Sequence, residues 1–482
     1  MNKIKLLLEK YKTSSIVFKA SVWFILVTII DNCISLLTQP FVNRIMTVEE
    51  VGVYNVYNTW ATIFRIIATF NLFCGVFEVL IVDNKEDQEQ VRGSLCFLST
   101  MLTVVFFAII FIVVNPLAQL LKLKPIYFLV MLSFVLSEEI VQFYLVPLRF
   151  NYKYIRYSII VISLFLIKSA LTILLAYTFV DDRVLGRIIG IAAPAFLAGC
   201  VLFVIIMSKT SFKGLTKYWK QGIKFNIPLI PHYLSSLLLA SSDKIMLNYL
   251  STEYNVGLYS VVYSFSSLSL IVFTAINNSY TPWAYNAIRN ENYIELKKKT
   301  NIIVLLSILF CFGLMLFAPE GIYILGGKAY LEALNIVPIL VVGTFFSSFY
   351  FIFSNVEFIN KKTKIAFPIT LLGTLINIGL NWLLIPTIGY EVAAYTTLLG
   401  YIIIAFCHYL YSYYIVKKNI YDIKTILLMI LFLILGMIGC IGIYQLHFIF
   451  RYILIVVFAA LFIIFGLRFY KKKRENQTQI EE

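Results

Sequence analysis

Two cations sit where cations are expensive. Arg65 lies inside the apolar run Ala61-Thr62-Ile63-Phe64-Arg65-Ile66-Ile67, and Lys168 inside Leu164-Phe165-Leu166-Ile167-Lys168. If these runs cross a bilayer, each cation costs ~2.5–3.5 kcal/mol at mid-depth on insertion scales, so neither faces lipid. Two chemistries fit them. They can receive an anionic group in a cavity, or they can be neutralised by a carboxylate, most directly Arg65 by Asp31 of the preceding run. Five carboxylates share the same apolar surroundings: Asp31, Glu138, Glu139, Asp243 and Glu357. A carboxylate facing a cavity can exchange a proton or hold Na⁺ in one access state and release it in another, which makes these the candidate ion-coupling groups. Asp31 and Asp243 lead, because each shares a helix face with other polar residues.

Those polar faces follow helical spacing. Asn55, Asn58, Thr62, Arg65 and Thr69 recur along one stripe of a helix, as do Tyr259, Tyr263, Ser266, Thr274, Asn277 and Thr281. Ser21, Thr28, Asp31, Ser35, Thr38 and Gln39 share a face, and so do His232, Ser236 and Asp243; Thr370, Thr374, Asn377 and Asn381 form another. The first two stripes are related by a repeat: Val51-Gly52-Val53-Tyr54-Asn55-Val56 returns 205 residues later as Val256-Gly257-Leu258-Tyr259-Ser260-Val261. The same offset carries Asp31 to Ser236, Thr38 to Asp243 and Arg65 to Leu270, so the cationic element belongs to the first copy alone. Stripes of this kind line either a polar cavity or a hydrogen-bonded seam between helices. On the cavity reading the binding residues are Arg65, Lys168, Asn55, Asn58, Thr62, Tyr259, Tyr263 and Asn277.

Composition explains why the groups above need a membrane. Of the 482 residues 60% are hydrophobic and 13% charged, against about 45–50% and about 25% in soluble domains. Apolar runs long enough to cross ~30 Å of hydrocarbon fall at 16–39, 53–82, 94–116, 126–148, 158–180, 185–208, 227–250, 257–281, 301–323, 334–358, 366–386, 392–416, 425–445 and 451–469. The expected fold is an all-α integral membrane protein of about fourteen transmembrane helices. Six helices separate the two repeat copies, an even number, so the copies share one orientation, as in a parallel repeat about the membrane normal. The expected organisation is an N-terminal lobe over 1–208, a basic linker over 209–226, a C-terminal lobe over 227–416, two further helices over 425–469 and a basic tail over 470–482.

The basic residues alternate with this threading. With the N-terminus inside, cytoplasmic segments collect Lys85 and Arg92, Arg149, Lys153 and Arg156, the lysines from Lys209 to Lys224, Arg289 with Lys297 to Lys299, Lys361, Lys362 and Lys364, Lys417, Lys418 and Lys424, and Lys471 to Arg474. Outer loops hold few: Arg44, Lys122, Lys124, Arg183, Arg187, Lys328 and Arg451. The net charge of +15 therefore reflects topology, and with the cations spread over short loops no nucleic-acid face is expected. The start, MNKIKLLLEKYKTSS, reads as a cytosolic collar on the first helix, since the apolar run after it is too long for a signal-peptide core and has no small-residue cleavage site. Seven scattered cysteines and three isolated histidines show no metal spacing. No nucleotide-binding GxxxxGK[ST] is present, so neither a metal nor an organic cofactor is expected, and energy would come from an H⁺ or Na⁺ gradient.

Two stretches carry a family resemblance. Asn43-Arg44-Ile45-Met46-Thr47-Val48-Glu49-Glu50-Val51-Gly52-Val53-Tyr54 resembles the exit from the first helix of the polysaccharide repeat-unit flippases (Wzx type) of the MOP superfamily, which also holds the MATE exporters and lipid II flippases. Phe225-Asn226-Ile227-Pro228-Leu229-Ile230-Pro231-His232, Ser242-Asp243-Lys244, Val256-Gly257-Leu258-Tyr259 and Pro282-Trp283 resemble the same family's seventh and eighth helices. Where that family often has Arg after the Asp, this chain has Lys244. The resemblance implies two six-helix lobes around a cavity and a substrate, an undecaprenyl-diphosphate-linked oligosaccharide moved from the inner to the outer leaflet of a bacterial cytoplasmic membrane. It implies no enzyme activity, and its partners would be the bilayer, the lipid-linked glycan, and a polysaccharide polymerase with chain-length proteins. A MATE-like drug or ion antiporter and a membrane polymerase or glycosyltransferase are the competing functions; the first would prefer an anionic cavity, the second a larger acidic outer loop.

The charge alternation gives a direct test. Reporter tags at Lys213, Arg289 and Lys362 should report cytoplasm, and tags at Lys122 and Lys328 the outer side. Lys213 and Lys122 on one side would end the fourteen-helix threading.

Overall fold

The structure is a computed structural model that describes residues 15–360, 362–446 and 448–457. The N-terminal collar, His447, Lys361, the end of the last apolar run and the basic tail lie outside the described residues. The described chain is helical, and it divides into two compact units, residues up to Ser260 with Leu325–Gly327, and the remainder from Val261.

In the first unit the helices are α1 (Ile16–Ile45), α2 (Val48–Thr69), α3 (Val76–Asp83), α4 (Gln88–Ile112), α5 (Val114–Leu121), α6 (Pro125–Phe150), α7 (Tyr154–Thr178), α8 (Arg183–Met207), α9 (Trp219–Asn226) and α10 (Ile230–Leu250), followed by the start of α11 (Glu253–Ser266). The rest of α11, α12 (Leu268–Arg289), α13 (Tyr293–Leu316), most of α14 (Ala318–Leu325), α15 (Val337–Ile359), α16 (Ala366–Ile388), α17 (Val392–Val416), α18 (Ile423–Tyr444) and α19 (Phe448–Val457) belong to the second.

Eleven of the described helical segments are long and apolar enough to cross a membrane. Two of comparable length are not among them: α2, of 22 residues, and α10, of 21. Both carry the polar stripes read from the sequence, which dilute their hydropathy. The short apolar helix α19 falls at the last expected run, so the order of described helices follows the expected runs, and the chain is a multi-pass, all-α membrane protein.

Local chemistry sets the helix ends. Thr47 and Glu50 form a reciprocal capping box that starts α2, Thr47 accepting from the Glu50 amide and Glu50 accepting from the Thr47 amide at 2.8 Å. The Ser15, Asp182 and Asp422 side chains cap α1, α8 and α18 in the same sense. Pro125 opens α6, where its missing N–H costs nothing.

The second apolar run differs from expectation. It is not one helix: α2 stops at Thr69, and an irregular stretch through residues 70–75 leads into α3. Phe70 and Asn71 adopt left-handed backbone (φ 51° and 53°), and Gly75 follows at φ 73°. Such a break frees backbone carbonyls that hydrocarbon cannot satisfy. The amide nitrogen of Asn226, at the end of α9, donates to three of them: Asn71 at 2.8 Å, Phe70 at 3.0 Å and Cys74 at 3.2 Å. Asn226 is fully buried, so the hydrogen bonds that tie α9 to the carbonyls of the break come from one side chain.

The two repeat copies meet within the first unit. A Cβ at Gly52 would lie 2.0 Å from the Glu253 carbonyl oxygen, and a Cβ at Gly257 would lie 2.0 Å from the Val48 carbonyl oxygen. Val48 and Glu253 are themselves related by the repeat offset, so the contact is reciprocal. Each glycine is needed because the partner backbone occupies the place of a side chain.

Burial separates core from periphery. In the second unit α15 is the central helix, packed by α12, α13, α17 and α18 and 83% buried across its apolar window, whereas α1 in the first unit is 11% buried. Phe345, Phe346, Phe349 and Phe353 of α15 form a chain of ring contacts along its length, edge-on at Phe345 and stacked between Phe349 and Phe353. In the first unit Phe77, Phe143, Leu95 and Ile206 anchor a core shared by α3, α4, α6 and α8.

Replacing Asn226 with Ala should lower stability by about 2–4 kcal/mol, the expected penalty for several buried carbonyls left without donors. Thermal melting of purified protein in detergent measures it; an unchanged melting temperature would mean that the break does not depend on this amide.

Candidate functional site

Five ionisable residues from four helices of the first unit gather around the middle of α6. Glu138 and Glu139 are consecutive on α6, so their side chains diverge by about 100° and serve different neighbours. Glu139 turns to α2, where its Oε1 lies 4.0 Å from the Arg65 Nε. Glu138 turns to α7 and accepts a hydrogen bond from the Lys168 ammonium. Asp31 of α1 lies within electrostatic reach of both Lys168 and Glu138.

Arg65 therefore pairs with Glu139, not with Asp31 as the order of runs suggested. Asp31 belongs to the Lys168 side of the cluster, because α1 packs on α7. Arg65 is the accessible member, its side chain 27% exposed, while that of Glu139 is 3% exposed. The guanidinium also sits over the Phe73 ring at 5.8 Å, in the irregular stretch after α2.

The cluster is underbonded. Both Glu139 oxygens, Arg65 Nε and Asp31 Oδ1 are buried without a hydrogen bond among the described residues. The Thr69 hydroxyl beside Glu139 donates to the Arg65 carbonyl at 2.8 Å. A charge pair held at 4.0 Å without hydrogen bonds is poorly compensated for burial, so its groups are available to a ligand or a proton. Three carboxylates face two cations here, and a single proton on one carboxylate would balance the set.

The remaining polar candidates fall in three places. Asn55, Asn58 and Thr62 lie with Arg65 on the least buried side of α2, where Asn55 donates to the Val51 carbonyl and Thr62 to the Asn58 carbonyl, both at 2.8 Å. Asp243 of α10 is separate from the five-residue cluster; it is buried and accepts from the Tyr259 hydroxyl at 2.6 Å. Tyr54, the repeat partner of Tyr259, instead stacks under the Arg187 guanidinium at 3.5 Å. In the second unit Tyr263 is half-buried, and Asn277 accepts from Thr281 at 3.0 Å and borders a cavity of about 20 Å³ with Tyr280, Ser307 and Ser348. That volume suits one water.

The α16 stripe is a seam. The Asn377 amide donates to Thr397 at 3.1 Å, and Asn381 and Thr396 bond beside it, all buried. Glu357 of α15 meets a residue the sequence reading passed over: its Oε1 is 2.6 Å from His408 Nδ1 on α17. No local signal marks that pair, since the two residues lie 51 positions apart on different runs.

Many apolar helices with ion-paired carboxylates and cations buried between them give the chain the form of a membrane transporter. The chain belongs to the polysaccharide biosynthesis protein family, whose model matches residues 17–288; the MatE model matches 228–383. It is similar to Lsg locus putative protein 1 of Haemophilus influenzae, 22% identical over 370 residues covering 75% of this chain and 90% of that one. Among solved structures it shares the fold of the lipid II flippase MurJ in an inward closed conformation (TM-score 0.66, 16% identity, 94% of this chain and 99% of that one). It also shares that of the MATE transporter VcmN of Vibrio cholerae (TM-score 0.56, 17% identity, 84% and 97%). The fold is that of the MOP superfamily.

Removing one partner of the Arg65–Glu139 pair should cost more than removing both. Arg65→Gln strands a buried carboxylate, for which about 3 kcal/mol is the usual scale; Glu139→Gln strands a cation that water partly reaches and should cost less. The double variant R65Q/E139Q should recover most of the loss in a melting-temperature cycle. Additive losses would show that the two groups do not interact.

Proposed function

We propose that this protein is a flippase that carries a polyprenyl-diphosphate-linked oligosaccharide from the inner to the outer leaflet of the bacterial cytoplasmic membrane by alternating access. The observation that carries the reading is the pair of interior cations, each held by a carboxylate on one helix, α6. A diphosphate brings the charge that Arg65 and Lys168 can bind, with Arg65 offering a planar fork to phosphate oxygens. The amides and hydroxyls of Asn55, Asn58 and Thr62 on the same face suit sugar hydroxyls. Membership of the polysaccharide biosynthesis protein family supports a role in polysaccharide assembly. On this reading the termini are cytoplasmic and the product is handed to a polymerase and chain-length proteins in the same membrane.

The carboxylates supply the coupling. Glu138 and Glu139 compete with the diphosphate for the same two cations, so a proton on either carboxylate frees a cation for substrate, and loss of that proton expels the substrate. Proton binding and anion binding then favour each other by linkage. Asp31 adds a third acceptor on the Lys168 side, and the anionic headgroup, moving outward through an inside-negative membrane potential, gains ~2.3 kcal/mol per unit charge per 100 mV. Asp243, bonded to Tyr259, is a second candidate position for the coupling ion.

A second reading is a MATE-like exchange of a cationic solute. It is favoured by one observation, that carboxylates outnumber cations in the cluster. Transport in proteoliposomes separates the two. A fluorescent undecaprenyl-diphosphate oligosaccharide should be flipped by the wild type. It should be flipped at least about tenfold more slowly by R65Q/E139Q, the loss of one charge-assisted contact of about 1.5–3 kcal/mol. The double variant is used because it leaves no stranded charge. Wild-type rates at wild-type abundance would remove the anionic-headgroup role, and uptake of a cationic dye without flipping would establish the exchanger.

A further inference from the structure

Glu357 and His408 form the most completely sealed ionisable pair in the second unit. Their side chains are 1% and 0% exposed and 2.6 Å apart. The two outer atoms of the pair, Glu357 Oε2 and His408 Nε2, are buried with no hydrogen-bond partner among the described residues. Among the described residues their surroundings are mostly aromatic and hydroxylic. The Tyr350 ring of α15 packs edge-on against the imidazole at 5.0 Å. Tyr421, ahead of α18, spends its hydroxyl on the Ile352 carbonyl at 3.0 Å, and Tyr280 of α12 spends its own on Thr300 of α13 at 2.8 Å. Ser412 of α17 donates to the Phe353 carbonyl at 3.1 Å. The Lys362 amide donates to the Glu357 carbonyl at 2.8 Å, but its side chain lies on the exposed side of that turn. The imidazole is the cation-forming group at hydrogen-bonding distance from this carboxylate.

A pair so placed has three protonation levels. With one proton between them the two groups are neutral overall, and the short contact satisfies both inner atoms. With none, a carboxylate is buried beside a neutral ring. With two, an imidazolium is buried beside a neutral acid. The last two carry a net charge in a water-excluded site, which is strongly unfavourable unless water enters. The closed packing of α15 on α17 is thus compatible with the one-proton level and works against the other two. At the one-proton level His408 Nε2 already carries its hydrogen, so Glu357 Oε2 is the position at which a second proton, or a water delivering one, would bind.

Entry is short. Glu357 lies two residues before the end of α15, next to the turn through Lys362 and Lys364. Opening the last turn of that helix is enough to bring water to the carboxylate.

We propose that Glu357 and His408 constitute a proton-binding site of the second unit, separate from the charged cluster of the first, in which departure from a single shared proton opens the α15–α17 seam to water. The site requires no substrate, so its test stands apart from that of the export reading.

The test uses the full chain in lipid nanodiscs with histidine labelled in ¹³C and ¹⁵N. Three histidines make the spectrum readable, and His408→Gln identifies the His408 signals. The His408 ring nitrogen shifts should show one protonation step as pH is varied over the range in which the protein stays folded. Glu357→Gln should move that midpoint and leave the His232 and His447 signals in place. Hydrogen exchange across 345–359 and 400–416 in the wild type should quicken at the same midpoint. A His408 ring that holds one protonation state over that range would overturn the proposal, as would one whose titration ignores Glu357→Gln, or exchange that does not follow it. The wild type supplies both the titration and the exchange profile, so those two outcomes decide the proposal even where Glu357→Gln folds poorly.

Discussion

Hydrocarbon offers no hydrogen bonds, so every polar group that enters this protein's interior must find its partner within the chain. That constraint orders much of the structure. It makes the described chain helical, and it explains why a helix break through residues 70–75 survives only with the Asn226 amide spread over three carbonyls. The same demand is met at Arg451, which reaches Glu320 through two nitrogens and also donates to the Leu316 carbonyl at 3.1 Å. Against this background the unmet groups stand out. Among the described residues one oxygen of Asp31, both of Glu139 and one of Glu357 lack hydrogen bonds, and the cost of leaving them so is what gives protons a reason to bind.

The two charged sites use the constraint differently. Around α6, two carboxylates divide two cations between neighbouring helices, one pair partly open to solvent and the other largely buried. Such a cluster can exchange partners without a net change in buried charge. Around α15 a carboxylate and an imidazole are closed off together, and any change in protonation alters the charge of the enclosed volume. The first arrangement suits selection of a ligand; the second suits sensing whether the seam is open.

Much of the fold was legible because its signals are long and periodic. Apolar runs and the alternation of basic loops predicted the order of helices, and the low hydropathy of α2 and α10 follows directly from the polar stripes visible in the sequence. The repeat was legible from a short glycine-centred motif, and the reciprocal backbone contact explains why glycine stands at both copies. The helix break was not, although Asn71 and Gly75 tolerate left-handed backbone, because an average over a long window passes over six residues. Pairing inside the cluster was also out of reach. Periodicity gives the face on which Arg65, Glu139 or Asp31 lies, but not how each helix is rotated toward its neighbours, so Asp31 looked like the natural partner of Arg65. His408 was a lone histidine in an apolar run and acquires meaning only from Glu357 across the helix interface.

The contact between the Gly52 and Gly257 motifs has the form of an isologous dimer interface, in which the same patch appears twice and each copy fits the other. Here the two copies are joined by one chain, so they meet at an effective concentration fixed by the intervening helices and independent of protein abundance. A methyl group added at either glycine would meet backbone, and the second glycine could not compensate, because the two collisions are distinct. Sequence drift is thereby restrained at two widely separated positions at once, as in a homodimer where one codon specifies both sides of the interface, although here two codons must agree.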